Sequence, residues 1–151
     1  FNAHYAACLA DRTRLYPGVR ATLAQLAAHG LALGVVTNKP ACFTGPVLRA
    51  MGLADWFGVI VAGDTLGARK PDAAPMRYAA GTLGVPAEAT VMVGDAMTDV
   101  GAARAAGMAM IWVPYGYHRG DDILAEQPEA VAERFEDLPG CLGLRQTTAN
   151  A

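Results

Sequence analysis

Short apolar runs alternate with amphipathic stretches along this chain, and the runs end on polar residues. Gly18–His29, "GVRATLAQLAAH", sets Val19, Leu23, Leu26 and Ala27 on one face at helical spacing, with Gly30 as its stop. Leu31–Val36, "LALGVV", follows as an unbroken apolar run, the pattern of a strand buried on both faces. Pro40 opens a second helix in "PACFTGPVLRAMG", whose early turns Gly45-Pro46 should disturb or delay. Val59–Ala62 reads as a strand, "GDTLGARKPD" as a loop, and Ala73–Leu83 as a helix with Gly84 after it. Val91–Val93 and Met110–Val113 are further strands, with a helix over Asp99–Ala106 between them. A short strand near Val131–Phe135 and a turn of helix at Leu138–Leu142 close the order. Such alternation predicts a Rossmann-like, three-layer α/β arrangement: parallel strands with helices on both faces. Ligands of such sheets sit at the carboxyl ends of the strands, so the residues just after each apolar run carry the chemistry.

Composition narrows the function classes. The 151 residues are 53% hydrophobic and 17% charged, which excludes disorder and allows a sizeable core. A net charge of −2 with scattered arginines offers no electrostatic footprint for nucleic acid. The longest apolar runs fall far short of the roughly 20 residues of a membrane-spanning helix. Cys8, Cys42 and Cys141 are odd in number and lack a C-x-x-C pair, which fits reduced thiols in a cytoplasm. No signal peptide is visible at "FNAHYAACLADRTRLYPG".

Three strand ends hold polar groups able to do chemistry. The first gives Thr37-Asn38-Lys39, the second leads through its loop to Lys70-Pro71, and the third gives Asp95 and Asp99. Singly, each has a bland reading: Thr37 or Asn38 as a helix cap, Lys70 as a solvated lysine, Asp99 as the cap of its helix. Together they say more. Two carboxylates sharing a site repel unless a cation intervenes, and Mg²⁺ takes a few carboxylate oxygens while leaving room for a phosphate. A lysine and a hydroxyl from neighbouring strand ends would hold the remaining phosphate oxygens. The set composes a phosphoryl-transfer site without its nucleophile. The order Thr, Lys, acids differs from a response-regulator receiver, and neither a P-loop nor G-x-G-x-x-G is present.

"VVTNKP", "GARKPDAAP" and "VMVGDAMTDVGAARAAGM" resemble motifs two, three and four of the haloacid dehalogenase superfamily. "YPGVRATLAQL", "VTNKPACFT", "AGDTLGARKPDAAP" and "PYGYHRGDD" are similar, more narrowly, to the phosphoglycolate phosphatase group, over Tyr16 almost to Leu142. The resemblance implies a Mg²⁺-dependent phosphatase acting on a small phosphomonoester through an aspartyl-phosphate. It makes Thr37 the phosphate-binding hydroxyl, with Asn38 beside it presenting backbone or amide donors. Lys70 binds phosphate and steadies the nucleophile, Asp95 is a Mg²⁺ ligand, and Asp99 is an outer or water-mediated member of the same site. Ala96 stands where many relatives have a serine, which removes one hydroxyl near the metal.

The family's first motif, Asp-x-Asp at the end of a central strand, occurs nowhere in this sequence; the only adjacent aspartates are Asp121-Asp122. The resemblance therefore implies residues 1–15 as the end of a helical cap, 16–145 as a partial core lacking its first, central strand, and 146–151 as a tail. It implies that this chain is a piece of a longer phosphatase, without turnover and aggregation-prone alone. A non-catalytic domain that binds phosphate or metal, or packs on a partner, is the rival reading. Pyrophosphatase, sugar-phosphate phosphatase and phosphomutase activities share the same core, and a dehalogenase would not need the acid pair. Tyr115, Tyr117, His118 and Arg119 could line a substrate entrance or form a plain loop. Arg69 could neutralise substrate charge or be solvated, and His4 and His29 read as surface residues.

Overall fold

The computed structural model describes residues 4, 8, 11–116 and 119–145. Helix α1, Val19–Ala28, buries its apolar stripe through Leu23 and Leu26, each 5% exposed. It lies against the closing helix and the 3-10 turn Phe135–Asp137 that precedes it. The strands are β1 (Gly34–Val36), β2 (Val59–Val61), β3 (Val91–Gly94), β4 (Ala109–Trp112) and β5 (Ala130–Val131). Between them run helices α2 (Ala41–Ala50), α3 (Ala74–Leu83) and α4 (Met97–Ala106), and α5 (Leu138–Cys141) closes the chain. All strand pairs are parallel, as the alternation of elements requires.

The period of two along β4 shows how the layers form. Met110 packs with Met76 and Ala80 of α3 and with Val100 and Ala103 of α4. Ile111, one residue on, points to the other face and packs with Ala132 and with Leu138 of α5. Both faces of this sheet are thus covered, and β4 is its most buried strand.

The strands form two sheets rather than one, β1–β2 and β3–β4–β5. Helix α3 lies on β1 and β2, α4 on β3 and β4, and the two helices touch, so one helical layer runs beneath both sheets. Ladder geometry fixes which backbone groups face the seam. Thr37 N donates to Val61 O and Gly58 N to Leu33 O, so the odd residues of β1 face β2 and Gly34 and Val36 face away. Val113 N donates to Gly94 O, so Met92 and Gly94 face β4 while Val91 and Val93 face away. The two outward-facing edges border the seam between α3 and α4.

Several expectations need correction. The run Leu31–Val36 is strand only from Gly34, since Leu31 is 39% exposed and sits in the turn after α1. Gly45-Pro46 does not delay its helix: α2 starts at Ala41 and carries Pro46 inside. The Thr44 hydroxyl donates to the carbonyls of Lys39 and Pro40 and tightens that first turn. The last strand is two residues long, because Arg134–Asp137 turns away; Arg134 N donates to the Asp137 carboxylate. Helix α4 begins at Met97, two residues ahead of Asp99. The segment Phe1–Arg14 falls mostly, and the tail 146–151 wholly, outside the described residues.

Candidate active site

Lys70, Asp95, Asp99, Thr37 and Asn38 come from three separate strand ends and meet at the carboxyl side of β1 and β3. Lys70 is the centre. Its Nζ donates to Asp99 Oδ1 at 2.6 Å and to the Val36 carbonyl at 2.9 Å, and its side chain is 9% exposed. The reading of Lys70 as a solvated lysine is therefore wrong. An ammonium buried to this degree is retained only with a charged partner, and Asp99, with its side chain 6% exposed, supplies it.

Asp99 has a second duty. Its Oδ2 accepts from Asp95 N at 3.0 Å and from Ala96 N at 3.1 Å, closing the open N-terminus of α4 from the third helical position. Ala96 has no oxygen to return the bond, so only half of a capping box exists here. The carboxylate lies so close over Gly94 that any β-carbon there would collide with it. One aspartate thus fixes the turn that presents Asp95 and pairs with the lysine opposite.

The Asn38 side chain joins the first and second strand ends. Its Nδ2 donates to Lys70 O at 2.9 Å and its Oδ1 accepts from Lys70 N at 3.0 Å. This two-bond clasp commits the amide that was expected to offer donors to phosphate. The Thr37 hydroxyl accepts from Lys39 N at 3.1 Å, which turns the chain after β1 and leaves the hydroxyl proton free to donate. Arg69, beside Lys70, donates its Nε to Gly63 O and braces the loop.

On its other side Asp95 meets Gly116, a residue that carried no chemical signal in the sequence. Its carboxylate lies against Gly116, where a β-carbon would collide with it. Tyr115, next door, stacks edge-on with Tyr16 at a centroid distance of 4.7 Å. The Tyr115 hydroxyl is buried without a hydrogen-bond partner among the described residues. Its pKa is raised by burial first, then by Tyr16, Asp137 and Asp95. Tyr115 lies in a turn with its ring against Tyr16; Tyr117 and His118 lie outside the described residues. His29 sits at the end of α1, far in sequence from these elements, its ring nitrogens facing the carbonyls of Gln25 and Arg145.

Among the described residues no three His, Cys, Asp or Glu side chains gather as a metal cluster. Asp95 and Asp99 form a pair, and hard carboxylate oxygens are donors that suit Mg²⁺, which also keeps waters and takes substrate oxygens. A cleft of about 330 Å³ between α1 and residues 134–137 shares no residue with this site.

Residues 1–113 match the family model of the haloacid dehalogenase-like hydrolases. The chain belongs to this family. It is 43% identical over 144 residues to a phosphoglycolate phosphatase of Yersinia pseudotuberculosis, covering 95% of this chain and 62% of that protein. The corresponding enzyme of Nitrosococcus oceani is 42% identical over 142 residues, covering 94% and 63%. The chain thus spans less than two thirds of the length of these relatives. Among solved structures, a HAD phosphatase from Thermococcus onnurineus superposes with TM-score 0.81 at 30% identity, covering 92% of this chain and 64% of that one. CbbY from Rhodobacter sphaeroides, in complex with phosphate, gives TM-score 0.81 at 27% identity, covering 95% and 65%. No helix among the described residues is long and apolar enough to cross a membrane.

Proposed function

We propose that this chain carries the phosphate- and metal-handling part of a Mg²⁺-dependent phosphatase for a small phosphomonoester of the phosphoglycolate kind. The observation that carries the reading is the buried Lys70 ammonium, held between the Val36 carbonyl and Asp99 at the converging strand ends and beside Asp95. A pre-paired cation at this place offers a phosphate dianion a partner that needs little reorganisation. Lys70 and the Thr37 hydroxyl would bind two phosphate oxygens, with Asn38 contributing its backbone N–H. Asp95 would be the direct Mg²⁺ ligand, and Asp99, committed to Lys70 and the α4 amides, would hold both in register. Mg²⁺ when bound would neutralise phosphate charge and polarise the ester.

An attacking carboxylate is missing from this set, since the sequence has no Asp-x-Asp. That favours a second reading for the chain by itself, a domain that binds phosphate and Mg²⁺ without turning over ester. Calorimetric titration with inorganic phosphate and Mg²⁺, run beside an assay with a generic phosphomonoester, tests both. The expected result is binding without turnover, with affinity for Mg²⁺ lowered at least ~10-fold in Asp95→Asn and for phosphate in Lys70→Met. Unchanged binding in both variants would overturn the site assignment, and Mg²⁺-dependent turnover would overturn the binding-only reading.

A further inference from the structure

We propose that Tyr16 is a positioning residue for Asp95: it clamps the Tyr115–Gly116 peptide against that carboxylate and so sets the affinity for Mg²⁺. This role deepens the proposed function and rests on it, since it takes Asp95 as the metal ligand.

Tyr16 stands on a fixed base. Its carbonyl accepts from Val19 N at 3.4 Å at the entry to α1, and Gly18, at φ 79°, lets the chain turn into that helix. Helix α1 is packed in turn on α5 and on the 3-10 turn before it. From this base the Tyr16 ring meets Tyr115 edge-on, with centroids 4.7 Å apart and planes at 63°. The Tyr16 hydroxyl donates to Tyr115 O at 3.5 Å.

The carbonyl that Tyr16 engages belongs to the same planar peptide unit as Gly116 N. That N–H donates to Val113 O at 3.4 Å, so the unit is held from both ends. Both bonds are long, and the ring contact carries most of the restraint. Tyr115 is fixed separately by packing on the cluster of Ile111, Val113, Ala132 and Leu138. Tyr16 itself is 53% exposed, so its ring adds little to the core; what it holds is the loop.

Gly116 transmits the clamp to the site. A β-carbon at this position would overlap both the carboxylate and the Cβ of Asp95, so the backbone of Gly116 lies directly on that side chain. The Asp95 backbone is already tied down, since its N–H donates to Asp99 Oδ2. What Gly116 limits is therefore the swing of the carboxylate. A ligand held in one orientation loses less freedom when the metal arrives, and releasing it weakens the metal. Lys70 and Thr37 are held by other contacts, with Val36, Asp99 and Lys39, so phosphate binding stands apart from this clamp.

The test titrates the full chain by calorimetry with Mg²⁺ and, separately, with inorganic phosphate. The Asp95 carboxylate carbon and the Gly116 amide are followed by NMR. Tyr16→Ala should lower Mg²⁺ affinity at least ~10-fold, leave phosphate affinity within ~2-fold, and shift both NMR signals. Tyr16→Phe keeps the ring and should stay within ~3-fold of the wild-type Mg²⁺ affinity. Gly116→Ala crowds Asp95 directly and should reproduce the selective loss. Tyr78→Ala removes another tyrosine, 48% exposed on α3, and should change neither affinity. Unmoved Asp95 and Gly116 signals, or unchanged Mg²⁺ affinity, in Tyr16→Ala would overturn the proposal. Equal losses of Mg²⁺ and phosphate affinity, or no rescue by phenylalanine, would also overturn it, because each means a general structural role. A wild-type chain that binds no Mg²⁺ would overturn the proposed function instead, and the two NMR signals would still decide whether Tyr16 holds Asp95.

Discussion

Lys70 and Asp99 show how far single residues can be read. The sequence order of Thr37, Lys70, Asp95 and Asp99 was enough to group them, because chemistry sits at strand ends in parallel sheets. What stayed illegible was the division of labour. Nothing in "VTNKP" shows that Asn38 clasps the Lys70 backbone, and nothing in "PYGYH" shows that Gly116 makes room for Asp95, since both depend on contacts between distant segments. The buried pair has a measurable signature. Lys70→Met leaves the Asp99 carboxylate without its charge partner and should cost about 3 kcal/mol. Adding Asp99→Asn should recover part of that loss in a double-mutant cycle read by urea denaturation; strict additivity would mean the pair is not coupled. Glu129 offers a pH test. Its carboxylate accepts from Met110 N, which chiefly holds its pKa below the ordinary 4.5, with help from Arg104. The stability it adds is complete above the unfolded value and lost as pH falls through the lower folded one. Its side chain is 48% exposed, so the contribution is at most about 1 kcal/mol. The stability gap between the wild-type chain and Glu129→Gln should therefore shrink between pH 6 and pH 3, measured by thermal melts.

Elements were legible where periodicity was strong and failed where local rules met tertiary packing. Helices α1, α3 and α4 and strands β2, β3 and β4 lie within a residue or two of their apolar patterns. β5 was over-extended because "VAERF" reads as alternating, yet Asp137 draws Arg134 N into a turn. The largest error concerned Pro46. A proline deep in a helix removes the bond to the carbonyl four residues back, here Cys42, and ordinarily breaks the helix. In α2 the chain continues through it, helped by Thr44 and by Asp64 Oδ1, which accepts from Ala41 N at the helix start. Pro46→Ala restores the missing donor without removing those contacts. It should stabilise the chain by about 1 kcal/mol, seen as a higher denaturant midpoint at unchanged slope. A lower midpoint would mean that the proline ring, not the helix bond, matters at this position.

At the scale of the molecule, the two sheets have unequal support. β4 is paired on both sides and packed on both faces, so β3–β4–β5 with α4 has the deeper core. β1 and β2 form a two-stranded sheet whose described core is a smaller cluster around Val59, Val61 and Ala79, and an isolated strand pair is marginal without a helix against it. The units are joined by the contact of α3 with α4 and by the Lys70–Asp99 bridge. Local opening free energies follow the density of such contacts. Native-state hydrogen exchange in low urea should therefore show β1, β2 and α2 opening ahead of β3, β4 and α4. Met110 and Ile111 should be the slowest amides. Lys70→Met should widen the difference, since it removes an ion pair across the seam and leaves both cores intact. If all strands opened together in both proteins, the seam would be closed by something other than α3, α4 and this pair, and the two-unit description would fall.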